Sequence, residues 1–391
     1  MDSEHVCEGR VELEVPTLEK FRAATGDYVP SLAEAFYNPH MEFCRDIGVA
    51  VAQVAAREMR PLRICDPLAG IGARGIRYAV EVDSVASVVI NDWSKVAQDF
   101  IRRNLRLNGA GARVEVFQRN ASSLLFESRG RFNFIDLDPF GSPAPFVEAA
   151  CVALGRRGFL ALTATDTAPL CGLYHRACLR RYGARPLRTE YCHELGIRIL
   201  VGFVQRVAGK YELAFEPLLV HSTRHYFRVY LRGERKAARA DEVLKRQGFV
   251  SHCFSCGRRL VVRGVAPELP RECECGGKFQ HAGPLWVGRL GEREFVGEVL
   301  QEVARRGFRL SHREVKLLEL CREEAEGPAT FYDVNELSRL LGRTPVSPRR
   351  VVRKLREEGY FASLTHFSPS GFRTDAPLDR VAAACSGAGR L

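Results

Sequence analysis

The sequence predicts two domains: a doubly wound α/β domain with a mostly parallel sheet and an antiparallel edge hairpin, then a smaller α+β domain. Three observations carry this. From Pro61 short β-type runs alternate with helical stretches; a glycine-rich turn follows the first run and opens a helix; and a charged segment at 232–245 precedes a cysteine-rich stretch. The chain has 391 residues, 46% of them hydrophobic, enough for two cores, since single cores rarely grow beyond about 250–300 residues. The boundary is placed near 240, giving domains 1–240 and 241–391.

Strands are expected at 62–66, 85–92, 113–118, 132–138 and 158–165, with helices over 74–82, 94–107 and 145–154 between them. Ser94 stands where a helix N-cap belongs and Pro145 in a first turn. A long helix over 196–210 leads to two strands, 212–220 and 226–231, joined by a turn at 221–224, which make the edge hairpin. The segment 232–245 reads as a linker or a solvated helix. Beyond the cysteines come helices at 296–306, 312–323, 333–341 and 348–358, the last two followed by Gly359, Tyr360 and Phe361 in a winged-helix-like order.

Lys plus Arg exceed Asp plus Glu by 58 to 47, a net charge of +11, which favours a polyanionic partner through phosphate contacts. A coding preference for arginine would give the same composition. The longest apolar stretches, 158–162 and 197–204, fall well short of the roughly 20 residues that span a bilayer, so no membrane partner is expected. Residues 1–14 carry acids where a secretory signal would carry basic residues and an apolar run, which points to the cytoplasm and to thirteen reduced cysteines. No obligate protein partner is evident.

The segment from Asp66 through Gly70 and Gly72 to Arg74 and Gly75 follows the first strand and opens a helix. There a Cβ on the glycines would block close approach of backbone N–H groups to a ligand. Twenty residues past Gly72, at the end of the second strand, Asp92 can accept hydrogen bonds from both hydroxyls of a ribose. Loop and acid together indicate an adenosine-type cofactor, either a nicotinamide dinucleotide or S-adenosyl-L-methionine.

Asp138-Pro139-Phe140-Gly141 closes the fourth strand at the carboxyl edge of the sheet, where open α/β folds bind ligands. The Asp138 carboxylate and the Pro139 carbonyl can accept hydrogen bonds from an –NH₂ group while Phe140 stacks on its base. A conjugated exocyclic amine is a poor nucleophile, so a site must position it and draw charge from its protons as the C–N bond forms. Positioning and proton acceptance are both open to Asp138. As a bare turn, Asp-Pro-Phe-Gly would be unremarkable, but behind this strand and after this loop amine methylation has the better claim. Alternation along the strand is expected to turn Asp136 to the opposite face.

Asp138-Pro139-Phe140-Gly141-Ser142-Pro143, Thr163-Ala164-Thr165-Asp166 and Ala168-Pro169-Leu170-Cys171-Gly172 resemble the tRNA guanine-26 N2-dimethyltransferase family, as do Phe36-Tyr37-Asn38-Pro39, Arg45-Asp46 and Thr365-His366-Phe367-Ser368-Pro369. The resemblance covers nearly the whole chain. It implies a Rossmann-like class I methyltransferase that transfers two methyls in succession from S-adenosyl-L-methionine to N2 of guanine 26 in tRNA. It further implies that Arg45, Arg74, Asp92, Asn120 and Ala121 contact the cofactor, that Asp138 is catalytic, and that Phe36 pairs with Phe140 around the guanine. Arg45 suits the methionine carboxylate. The position matched to an acid before Ala121 is Asn120 here.

Cys253-Phe-Ser-Cys256 and Cys273-Glu-Cys275 form two thiol pairs 16 residues apart, suited to a structural zinc ion held by four thiolates, with His252 or His281 as substitutes for a thiol. Cys44, Cys65, Cys151, Cys171 and Cys192 read as small core residues. Arg176, Arg180, Arg181, Arg185 and Arg188, with Tyr182 and Tyr191 interleaved, make a phosphate track or a solvated face; Arg349, Arg350, Arg353, Lys354 and Arg356 make a second cluster of the same double reading. Two other functions stand beside the main one: methylation of an adenine amine in DNA or RNA, which the same tetrapeptide chemistry would serve, and a non-catalytic zinc-containing RNA-binding protein. A nicotinamide oxidoreductase leaves Asp138-Pro139-Phe140 without a role.

Overall fold

The computed structural model describes residues 2–17, 19 and 33–386. Strands β1 (Ser3–Glu8) and β2 (Val11–Pro16) form an antiparallel ribbon turned at Gly9, whose φ of 55° suits a residue without Cβ. Strands β3 (Leu62–Asp66), β4 (Val85–Asn91), β5 (Val114–Phe117), β6 (Phe132–Leu137), β7 (Leu154–Ala164), β8 (Leu213–Thr223) and β9 (Tyr226–Arg235) form one sheet of order β5-β4-β3-β6-β7-β9-β8. The pairs β3–β4, β4–β5, β3–β6 and β6–β7 are parallel. Every residue of β6 is buried, as expected of a central parallel strand covered on both faces. Order reverses between β4 and β6 around β3, the switch point at which open α/β sheets bind ligands, and the loops after these strands carry Gly70, Asp92 and Asp138.

The helices that belong with β3 to β7 are α1 (Glu42–Glu58), α2 (Ala73–Glu81), α3 (Lys95–Leu107), α4 (Ala121–Glu127) and α5 (Ala144–Ala153). Ser94 caps α3 by accepting from the Ala97 N–H, and α5 has proline in its first turn, both as the sequence predicts. Buried Asn104 of α3 accepts from the Glu14 N–H at 2.7 Å and donates to the Glu14 carbonyl at 3.1 Å, so α3 carries the N-terminal ribbon.

By compactness the chain divides into Met1–Thr163 with Arg232–Glu234 and Glu298–Val315, and Ala164–Leu231 with Arg235–Gly297 and Lys316–Leu391. The second unit holds α6 (Thr167–Leu170), α7 (His175–Tyr182), α8 (Cys192–Gly209) and α9 (Ala237–Leu244), then a small sheet of order β11-β10-β12 made of β10 (Gln247–Cys253), β11 (Arg259–Arg263) and β12 (Phe279–Trp286). After α10 (Arg293–Arg306) and α11 (Ser311–Glu324) come β13 (Tyr332–Asp333), α12 (Val334–Leu341), α13 (Pro348–Glu357), β14 (Ala362–Leu364), β15 (Gly371–Thr374) and α14 (Leu378–Cys385). The order β13-β15-β14, with α12 and α13 packing Leu337, Val351 and Leu355 against Phe372, is the winged-helix-like arrangement expected.

Several boundaries differ from expectation. Strand β7 starts at Leu154, directly after α5, because exposed Arg156 and Arg157 disguise its first half as a loop. The hairpin turn is only Arg224 and His225; His221, expected in the turn, is a fully buried strand residue. The segment 232–245 is no linker: it finishes β9 and forms α9. The ribbon β1–β2 and helix α1 were not among the expected elements.

Candidate active site

Gly70 and Gly72 adopt φ of 56° and 85°, and a Cβ on Gly70 would come within 2.5 Å of the Phe36 carbonyl oxygen, so the turn after β3 tolerates no side chain there. Asp92 binds this turn from the neighbouring strand. Its carboxylate accepts the Gly70 N–H at 2.8 Å and the Ser94 N–H at 2.9 Å, and burial raises its pKa above the ordinary carboxylate value. Asn91, just before it, donates to the carbonyls of Pro67 at 2.9 Å and Arg119 at 3.0 Å and accepts the Arg119 N–H at 3.0 Å. One side chain thus pins the loops after β3 and β5 to the end of β4. Asn120 follows Arg119 and caps α4 through the Ser123 N–H at 3.1 Å; Ala121 is the first, buried residue of that helix.

Asp138 stands at the end of β6, with about a fifth of its side chain exposed, and its Oδ2 accepts from Arg74 Nη2 at 2.6 Å. The other arm of Arg74, Nη1, lies 3.5 Å from Asp136, which also accepts the Tyr78 hydroxyl at 2.5 Å and is fully buried. Asp136 is thus not on the opposite face as expected: residues two apart on a strand share a face, both carboxylates meet the same guanidinium, and Asp136 braces Arg74 from the buried end. Asp66, buried beneath, accepts the Gly75 N–H at 3.0 Å; burial and then the charge of Asp136 push it up to about 8. Arg45 is held by Glu8 of β1, its Nε 2.7 Å from Oε2 and its Nη2 2.5 Å from Oε1, and by the Asn38 carbonyl at 3.0 Å. The Tyr37 hydroxyl donates to the same Glu8 at 2.7 Å. Burial alone would raise Glu8, but the charge and hydrogen bonds of Arg45 outweigh it and hold the carboxylate below its usual value.

A narrow cleft gathers Phe36, Arg45, Asp66, Arg74 and Asp138 with the apolar side chains of Leu68, Ile71 and Ala73. Phe36 of the lining meets Phe140 edge to face with ring centroids 4.3 Å apart, and Phe140 is 65% exposed. Of the residues singled out in the sequence, these five line the cleft, Gly70 and Gly72 form the turn after β3 that Asp92 binds, and Asn120 and Ala121 sit at the loop after β5. Glu8, Tyr37, Tyr78 and Asn91 went unread. Asn91 precedes the acid at the strand end and offered a signal, whereas Glu8 lies 37 residues from the arginine it holds.

The residues fit S-adenosyl-L-methionine. The turn at Gly70 and Gly72 leaves no room for a Cβ, the half-buried Asp92 carboxylate flanks it, and arginines bound to acids line the cleft. The thiols fit zinc. Cys253 and Cys275 have Sγ atoms 3.5 Å apart and Cys256 and Cys273 3.6 Å apart, against the roughly 3.8 Å that tetrahedral Zn–S bonds of about 2.3 Å require. A Cβ on Gly277 would lie 2.9 Å from Cys253 Sγ, so the second knuckle needs glycine. His252 binds the Tyr191 hydroxyl at 2.9 Å and His281 the Ser251 hydroxyl at 2.9 Å, and neither joins the four thiols.

Two sequence expectations need correction. Tyr182 and Tyr191 are buried, Tyr182 donating to Asp166 at 2.8 Å, so they are no part of a surface track; the five arginines around them are exposed. The exposed neighbours are instead Leu173, Tyr174 and Leu179. Cys44, Cys65 and Cys151 are core residues, but Cys171 and Cys192 are only partly buried. Among the described residues no helix is long and apolar enough to cross a membrane.

A glycine turn after β3, an acid after β4 and Asp-Pro-Phe after β6 on this sheet define a Rossmann-like class I methyltransferase. Residues 9–386 match the family described as N2,N2-dimethylguanosine tRNA methyltransferase, and the chain belongs to that family. It is 42% identical over 378 residues to a tRNA (guanine(26)-N(2))-dimethyltransferase of Methanobrevibacter smithii, covering 96% of this chain and 95% of that one. The counterpart in Methanothermobacter thermautotrophicus is also 42% identical, with 96% and 97% covered. The solved structure of Trm1 from Pyrococcus horikoshii with S-adenosyl-L-methionine superposes with a TM-score of 0.86 at 34% identity, over 97% of this chain and 99% of that one.

Proposed function

We propose that this chain methylates the exocyclic N2 of guanine 26 in tRNA, first to N2-methyl- and then to N2,N2-dimethylguanosine, in the cytoplasm. The observation that carries the reading is Asp138, held by Arg74 at the carboxyl edge of β6 between the glycine turn and the Phe36–Phe140 pair. Its support from relatives is that curated homologues carry this activity in their names. Bound S-adenosyl-L-methionine supplies an electrophilic methyl on a sulfonium.

Arg45 and Arg74 offer charge to the methionine carboxylate, Asp92 accepts from the ribose hydroxyls, and Asn120 and Ala121 border the adenine. Phe36 and Phe140 must part to admit the guanine between them, since at 4.3 Å their rings leave no gap. Asp138 and the Pro139 carbonyl accept the amine hydrogens and aim the nitrogen lone pair. As the N–C bond forms and the S–C bond breaks, the nitrogen becomes cationic and its proton passes to the Asp138 carboxylate and on to solvent. Arg74 orients that carboxylate while Asp136 and Tyr78 hold Arg74. Residues 1–240 serve catalysis; 241–391, with zinc on Cys253, Cys256, Cys273 and Cys275, serve RNA binding and leave the metal no open position for chemistry.

The test is to incubate the protein with unmodified tRNA transcript and methyl-labelled cofactor and to analyse nucleosides. N2-methyl- and N2,N2-dimethylguanosine at position 26 are expected; N6-methyladenosine instead would overturn the reading. Asp138→Ala is expected to lower kcat about 10³-fold or more while cofactor Kd changes by less than about threefold.

A further inference from the structure

Three donor groups outside the cleft converge in the second unit. Cys171 ends α6, while Cys192 and His193 open α8, and their two Sγ atoms and a ring nitrogen all lie within 4.8 Å of one another. Apolar packing does not account for the cluster: both thiols are partly exposed and His193 is exposed. The imidazole is nonetheless held, with Nδ1 3.4 Å from Ser222 Oγ and its ring 5.8 Å from that of Phe227. A hydrogen-bonded partner on one imidazole nitrogen is what orients histidine ligands in metal sites.

The cluster Cys321, Glu324 and His366 is equally close-set, and the contrast is informative. There His366 Nδ1 faces Glu324 Oε1 at 2.5 Å, Nε2 accepts the Ser222 N–H at 3.1 Å, Glu324 Oε2 is taken by Thr365 and Arg373, and Cys321 donates to the Val220 carbonyl. Those donors are spent on one another inside the fold. Cys171, Cys192 and His193 stand at a surface that a cation can reach.

We propose that Cys171, Cys192 and His193 form a second metal centre, separate from the four-cysteine knuckle, that takes a zinc-class divalent cation. Two thiolates and a neutral imidazole select a soft or borderline ion, and three protein ligands leave a fourth position for water. Binding releases the two thiol protons to solvent. The ion joins residue 171 to residue 192 and so closes the stretch between them, which carries exposed Arg176, Arg180, Arg181, Arg185 and Arg188. The centre acts as a clasp on this basic segment. Its existence does not depend on the RNA reading.

The test uses the full-length chain, saturated with zinc and freed of excess, with metal content measured by plasma mass spectrometry. Cys171→Ser with Cys192→Ser is expected to lose about one equivalent of zinc per chain while the knuckle keeps its own. Replacing Cys253 and Cys256 by serine removes the other equivalent and leaves this one. His193→Ala, which leaves both thiols in place, is expected to weaken zinc at this centre by about tenfold or more. Hydrogen exchange in 172–191 is expected to slow when zinc is added to the metal-free chain and not to slow in the double variant. Unchanged zinc content in both Cys171/Cys192 and His193 variants would overturn the proposal, as would a Cys171–Cys192 disulfide found in the zinc-saturated chain.

Discussion

At the scale of single residues, the buried charges of the first unit decide how stability follows pH. Asp46 and Glu314 face each other beside Arg77, whose Nη1 lies 2.6 Å from Asp46. Two carboxyls and one nearby cation cannot both ionise cheaply out of water. Burial and then the charge of Asp46 push Glu314 up to about 10 from an ordinary 4.5. The folded chain therefore binds a proton that the unfolded chain releases, and stability falls as pH rises between 4.5 and about 10. Glu314→Gln mimics the protonated carboxyl and removes the titration. Thermal unfolding followed across that window is expected to show the wild type losing several degrees toward alkaline pH and the variant a flatter profile; parallel profiles would show that the proton resides elsewhere. No sequence pattern announced this pair, whose members stand far apart along the chain, whereas Asp138 and Asp92 were legible because each is defined by the strand it ends and the few residues beside it. Arg74 and Asp138 were both legible, but not their hydrogen bond, which exists only once β3 and β6 lie side by side.

At the scale of elements, the parallel strands and amphipathic helices could be read because their burial repeats along the chain. The N-terminal ribbon is only half legible: β2 buries Val11, Leu13 and Val15 and exposes Glu12 as alternation predicts, but no local pattern shows that Glu8 is buried as the partner of Arg45. What fixes the ribbon is helix α3. Asn104 binds both backbone groups of Glu14 and donates to the Ile71 carbonyl at 3.2 Å, which ties the ribbon, the helix and the glycine turn to one buried amide. Asn108 repeats the pairing with Glu12 one turn on. Asn104→Ala leaves buried backbone groups unpaired at a cost of about 2 kcal/mol. Urea unfolding is expected to report that loss, with cofactor affinity weakened several-fold because Arg45 loses its support through Glu8. A variant of unchanged stability and affinity would mean that Asn108 alone anchors the ribbon.

At the scale of the whole molecule, the surplus of arginine has two destinations, which separates the two explanations that composition left open. Arg45, Arg74, Arg77, Arg198 and Arg373 are buried and paired with acids inside the fold, where they hold the site or brace the second unit and cannot meet a phosphate. Arg176, Arg180, Arg349, Arg350 and Arg353 are exposed. The first pair lies on α7 beside exposed Leu173, Tyr174 and Leu179, a mixture suited to phosphates and unstacked bases of RNA. The others lie on α13, where Arg353 approaches Glu357 at 3.9 Å and Arg356 is tied to Glu323 at 2.5 Å, so part of that charge is answered within the chain. Arg181 of α7 is likewise tied to Asp166 at 3.0 Å, so it is the exposed apolar side chains beside α7 that lead us to expect tRNA binding to depend more on α7 than on α13. Removing one arginine–phosphate ion pair reduces the slope of log affinity against log salt by about 0.7–0.9. Arg176→Ala with Arg180→Ala is expected to weaken tRNA binding at least about tenfold and to flatten that slope by about 1.5, with kcat at saturating tRNA little changed. Arg349→Ala with Arg350→Ala is expected to have a smaller effect on both. Equal losses from the two pairs would make the winged-helix-like part a full share of the RNA surface, and no loss from either would leave the exposed arginines as a solvated face.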